Sequence, residues 1–175
     1  VLARRRALRA AGGALAGVLV GGLAAGSGAA GRRLRFVVTD VERGRVVLSA
    51  PVAVGDHLTL RYTHSVSKRP VEEEFAVAAP GRLAMDEMRF DTFGANLPVG
   101  PERIGSTTTT FLREEDGYRV LHHGRVLGEV QLMVNSSRSG QVLTLPGGRR
   151  VRLLDVAEYG TRLEWSVEGG PRSLP

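Results

Sequence analysis

The sequence predicts an all-β fold, a single antiparallel β-sandwich or barrel over residues 33–168 preceded by an N-terminal hydrophobic targeting segment. Three observations point there. Short apolar runs recur with two-residue alternation, cleanest in Leu58-Thr59-Leu60-Arg61-Tyr62, so one side of the run faces a core. Turn-forming clusters separate the runs, among them Glu42-Arg43-Gly44, Glu115-Asp116-Gly117, His123-Gly124 and Pro146-Gly147-Gly148. No segment beyond residue 30 carries a helical period. Strands at short intervals joined by glycine turns are the pattern of antiparallel sandwiches and barrels.

Residues 1–30 read as a targeting segment. Arg4, Arg5, Arg6 and Arg9 form a basic start, an apolar Gly/Ala-rich stretch follows, and Ser27-Gly28-Ala29-Ala30 offers the small residues of a cleavage site. The run Arg4-Arg5-Arg6-Ala7-Leu8-Arg9 also resembles a twin-arginine export motif. The alternative is an uncleaved membrane anchor, since residues 10–30 have the length to span a bilayer, although few of them are strongly apolar. Both readings place the domain outside the cytoplasm, and both confine membrane contact to residues 1–30.

Strands are then expected at 35–39, 46–49, 58–64, 71–78, 83–85, 109–112, 118–122, 126–134, 142–145, 151–156 and 162–167. Residues 86–108 form the one long loop, and loops of that length in compact domains commonly carry function. Residues 169–175 form a flexible tail. Trp165, the only tryptophan, falls in the last strand and is assigned to the core.

Composition excludes several classes of function. The formal charge of +6 includes four arginines within residues 1–30, which hold no acidic residue; the remaining +2 is ordinary for a domain. No basic stripe with interleaved aromatics is present, so nucleic acid is not an expected partner. The chain has no cysteine, hence no disulfide, no thiolate metal ligand and no lipoprotein anchor. Its four histidines, His57, His64, His122 and His123, do not have ligand spacing. A metal site would have to be assembled wholly through tertiary contacts, and no metal or cofactor is expected.

The segment from His64 to Phe75, His-Ser-Val-Ser-Lys-Arg-Pro-Val-Glu-Glu-Glu-Phe, is the most informative. Residues two apart in a strand share a face. Leu58, Leu60 and Tyr62 therefore share one with His64, and Val71, Phe75 and Val77 share one with Glu73. If the apolar sets mark the core, His64 and Glu73 point inward from neighbouring strands, close enough to interact directly or through one water. Two readings stay open: a ligand or proton site closed by the loop Phe93-Gly94-Ala95-Asn96-Leu97-Pro98, or a structural bond pinning the hairpin. Ser65 beside His64 invites a serine-hydrolase reading, but adjacent strand residues face opposite ways unless the strand breaks there. Lys68 and Arg69 on the connecting turn could offer cations to a carboxylate, and backbone around Gly94 and Asn96 could hold one.

These residues resemble the domain-of-unknown-function 1850 (DUF1850) family, small bacterial and archaeal proteins with a His-Ser-Val-x-Lys signature, a following apolar residue and Glu, and a Gly-Ala-Gly-Leu-Pro-like loop. His64, Ser65, Val66, Lys68, Pro70, Val71 and Glu73 match the first signature; Gly94, Ala95, Leu97 and Pro98 match the second. Asn96 stands where the family usually has glycine, and asparagine is the non-glycine residue that best tolerates positive φ. The resemblance implies a protein encoded beside TRAP-type transporters of the TAXI class, which import organic acids. The expected function is a non-enzymatic exported accessory or binding module, with a TRAP permease or its solute-binding protein as partner and a small carboxylate as ligand. Its ligand-binding residues would be His64, Ser65, Lys68, Glu73, Gly94 and Asn96. The alternatives are a small hydrolase-type enzyme using His64 and Glu73, or a purely structural secreted domain.

Overall fold

A computed structural model describes residues 34–78 and 82–169. The targeting segment at 1–30 and the tail at 170–175 lie outside the described residues. In chain order the strands are β1 (Leu34–Asp40), β2 (Arg45–Val52), β3 (His57–Thr63), β4 (Pro70–Val77), β5 (Leu83–Phe90), β6 (Arg103–Ile104) and β7 (Thr107–Thr108). Then follow β8 (Thr110–Glu114), β9 (Gly117–Val126), β10 (Val130–Met133), β11 (Val142–Thr144), β12 (Arg150–Arg152) and β13 (Arg162–Gly169). The fold is the all-β one that the alternation predicts.

Two antiparallel sheets form a sandwich. One runs β10-β13-β1-β2; the other, seven-stranded, runs β12-β11-β3-β4-β5-β9-β8. The inner faces are built from the predicted parities. On the seven-stranded sheet Leu58, Val71, Phe75, Val77 and Val120 are buried, and on the four-stranded sheet Phe36, Val38, Leu163 and Val167 are buried. Trp165 joins the sheets. Its ring lies edge-on to Phe36 of its own sheet at 5.4 Å and to Phe75 of the facing sheet at 5.5 Å. Offset and edge-on contacts of this kind add to the gain from burying large rings.

Four local expectations change. β5 does not stop at residue 85 but continues to Phe90, because a bulge at Asp86 absorbs one residue and restores the alternation, with Met88 and Phe90 buried beyond it. The expected strand at 126–134 is two strands: β9 ends at Val126 in the seven-stranded sheet, and Val130 begins β10 in the other. Leu127, whose N–H donates to Leu83 O at 2.8 Å, starts the crossing. The strand expected at 151–156 yields after Arg152 to a short 3-10 turn, Leu153–Asp155, that buries Leu153. Gly169, placed in the tail by sequence, closes β13 opposite Leu34.

Candidate functional site

His64 is the first residue past the end of β3. Its backbone N–H donates to Arg69 O at 2.8 Å and its carbonyl accepts from Lys68 N–H at 3.0 Å, closing a turn in which Lys68 adopts φ 57°. The side chain folds over that turn and is buried. Nδ1 accepts from the backbone N–H groups of Val66 (3.3 Å) and Ser67 (3.2 Å) and from the Ser67 hydroxyl (3.2 Å). Nε2–H donates to Ala95 O at 3.0 Å. Side chains of Asn, Asp and Ser commonly accept from backbone two and three residues ahead in this way. Here an imidazole does so and keeps its second nitrogen for a distant loop. The neutral tautomer with its proton on Nε2 satisfies every one of these contacts.

The partner loop is shaped to receive the ring. A Cβ on Gly94 would lie 2.6 Å from His64 Cε1 and 2.8 Å from Nδ1, so only glycine fits against the imidazole. Gly94 O accepts from Leu97 N–H at 3.1 Å, and Asn96, third in that turn, has φ 66°. The third position of a type II turn requires positive φ, which accounts both for glycine in the family pattern and for asparagine here. Leu97 is buried in the core. The loop is thus fixed by an apolar anchor, a hydrogen bond from the ring and a close backbone approach.

Glu73 does face inward, opposite Leu60 and beside Val71 and Phe75. The contact expected between it and His64 is not made. Its carboxylate accepts instead from the Tyr62 hydroxyl at 2.9 Å. Register explains the choice: Tyr62 pairs with Val71, diagonal to Glu73 and within reach, whereas His64 lies two residues further on, where the chain has left the strand. Burial raises the Glu73 carboxyl above its ordinary range, an effect the Tyr62 hydrogen bond partly offsets. Burial and the neighbouring carboxylate raise the Tyr62 phenol.

The other expected residues divide. The strand does break at Ser65, yet it is Ser67, not Ser65, whose hydroxyl reaches the ring, and Ser65 is exposed. Lys68 bonds Ser65 O through Nζ, and Arg69 is held by Asp91 at 2.5 Å. The structure therefore assembles His64, Lys68, Gly94 and Asn96 at one end of the sandwich, with Ser65 at its rim and Glu73 apart.

Sequence reasoning passed over the aromatic residues beside this loop. Phe90, Phe93, Phe111 and Tyr118 pack together, with Phe93 and Tyr118 centroids 4.3 Å apart and Phe93 and Phe111 stacked at 6.4 Å. Phe93 is 39 % exposed, so the cluster reaches the surface. Against it lies a groove of about 380 Å³ lined by Phe90, Tyr118, Arg61, Arg89, Glu72, Asp91, Glu114 and Asp116. The available signal was inward parity: Tyr118 pairs with Phe90, and Phe111 with Val120.

His122 lies inside the sandwich, and among the described residues neither ring nitrogen has a hydrogen-bond partner; burial, then Arg125, depresses its pKa. His123 bonds Thr110 Oγ1 at 2.8 Å on the surface.

Comparison with known proteins supplies one match. The family model described as Domain of unknown function (DUF1850) covers residues 58–153, more than half of the chain, including the His64 turn and the Gly94 loop. No curated protein and no solved structure matches.

Proposed function

The chain belongs to the DUF1850 family, and from that premise and the geometry above we propose that it is a non-enzymatic exported module that binds a partner protein of a TAXI-class TRAP importer. The observation that carries this reading is the full engagement of His64. Both ring nitrogens are spent on backbone and on Ser67, so the imidazole serves as a latch that holds the Phe93–Leu97 loop against the sheet. A general base or ligand-binding imidazole needs a nitrogen aimed at the substrate. What the latch positions is a fixed surface: the exposed edge of the aromatic cluster beside a groove with charges of both signs. Partly exposed aromatics rimmed by charge are the composition of protein-recognition patches. The importer itself comes from the family resemblance, with the permease or its solute-binding protein as partner. The extracytoplasmic location and membrane contact through residues 1–30 belong to the same proposal.

A small carboxylate ligand is a second reading, favoured by Arg61 and Arg89. Their side chains are 63 % and 53 % exposed in the groove, and each, though paired with Glu72 or Glu87 through Nε, has further N–H donors to offer. The hydrolase alternative would need His64 and Glu73 to share a substrate, and each is committed to other groups.

Phe93→Ser separates the readings. It removes the exposed anchor while leaving the latch intact. The expected outcome is loss of importer-dependent uptake, and of co-purification with the importer, from a chain that still folds. Normal uptake and unchanged co-purification by the folded variant would contradict the partner-binding proposal.

A further inference from the structure

The outward face of the seven-stranded sheet is a ladder of compensated charges. Glu72 meets Arg61 at 3.4 Å, and Glu87 meets both Arg119, at 2.5 Å, and Arg89. Glu74 and Asp86 depart from this pattern. Among the described residues no guanidinium lies within ion-pair distance of either, and both converge on a single imidazole nitrogen. His57 Nδ1 is 2.6 Å from Glu74 Oε1 and 3.5 Å from Asp86 Oδ2. One potential ligand atom from each of the three residues lies within 4.8 Å of the other two.

Register brings them together. His57 pairs with Ala76 and is therefore diagonal to Glu74, which itself stands opposite Glu87 on β5. Asp86 is the residue left unpaired where β5 shifts register against both β4 and β9. Bulges re-aim a side chain in this way, and here the carboxylate joins the face of Glu74. Gly124 on β9 borders it: a Cβ there would stand 3.6 Å from Asp86 Oδ1, an ordinary contact, and φ 66° is what favours glycine at that position. The three residues come from three adjacent strands, which is why histidine spacing along the chain gives no sign of them.

We propose that His57, Glu74 and Asp86 bind a divalent metal ion of the borderline class, Zn²⁺ foremost. One imidazole nitrogen with two carboxylate oxygens is a donor set suited to such an ion, while Mg²⁺ and Ca²⁺ favour all-oxygen shells. Zinc bonds of about 2.0–2.2 Å place tetrahedral ligands roughly 3.3 Å apart. The observed 2.6 and 3.5 Å lie on either side of that separation, and the two carboxylate oxygens lie within 4.8 Å of each other, so side-chain rotations would have to bring the three atoms to a common spacing. A neutral imidazole leaves two carboxylate charges for the divalent ion to balance. His57 is half exposed, so the remaining coordination positions open to water or to a donor from a partner. The site sits at the start of β3, whereas the His64 latch lies past its end. It is independent of the function proposed above.

Isothermal titration of the full chain with Zn²⁺ tests this, alongside His57→Ala, Asp86→Asn and the surface control His123→Ala. The expected result is a single equivalent bound, weakened at least about tenfold in each of the first two variants and unchanged in His123→Ala. Melting with and without Zn²⁺ reports folding at the same time: Zn²⁺ raises the melting temperature of the parent and of His123→Ala, but not of His57→Ala. No saturable uptake at millimolar Zn²⁺, or uptake of unchanged affinity in folded His57→Ala, overturns the proposal.

Discussion

At the scale of single residues, Gly94 and His64 act as one unit. The ring occupies the space a Cβ would take, so Gly94→Ala must push the imidazole off Ala95 O or move the loop. Overpacking of this kind typically costs about 1–3 kcal/mol, and urea unfolding is expected to show a loss in that range. Two buried ionisable groups give the chain opposing pH dependences. His122 is held below its ordinary 6.5 by burial and Arg125. The unfolded chain takes up that proton first as pH falls, so stability present above pH 6.5 is lost as pH drops towards the lower folded value. Glu73 is raised above 4.5, so its contribution is fully present below pH 4.5 and is lost as pH rises through the folded value. Glu73→Gln keeps an acceptor for Tyr62 and removes the charge. Urea midpoints at pH 7 are therefore expected to be equal or higher in Glu73→Gln than in the parent; a clearly lower midpoint would contradict this assignment.

At the scale of elements, the turn after Gly94 depends on Asn96 at φ 66°. Asn96→Gly is expected to leave stability within about 0.5 kcal/mol, while Asn96→Val, which adds a β-branched side chain in the left-handed region, is expected to cost about 1–2 kcal/mol. Equal midpoints for the two variants would show that the turn conformation is not under this constraint. This turn was legible in sequence because its residue types name its geometry. The β3–β4 hairpin was legible for a different reason, the two-residue parity that correctly put Glu73 on the inner face. Parity alone could not say that β3 ends at Thr63, and so it extended the face to His64 and paired the wrong partners. The length of β5 was hidden by its bulge: Asp86-Glu87-Met88-Arg89 reads as a polar loop until one residue is taken out of the alternation.

At the scale of the whole molecule, a cysteine-free chain is held by one core shared between two sheets, with Trp165 touching both Phe36 and Phe75. That architecture was legible because alternation and turn spacing are local signals, repeated along the chain. The aromatic cluster was not, since Phe90, Phe93, Phe111 and Tyr118 meet only once β5, β8 and β9 are paired and the loop is folded back. In the proposed function His64 is the latch that makes this end of the sandwich a fixed surface. Amide hydrogen exchange at Leu97, whose N–H bonds Gly94 O, compared between the parent and His64→Ala, tests that claim most directly. Strong protection of Leu97 is expected in the parent and its collapse in His64→Ala, with Phe75 on central strand β4 remaining protected. Equal protection of Leu97 in both proteins would contradict it.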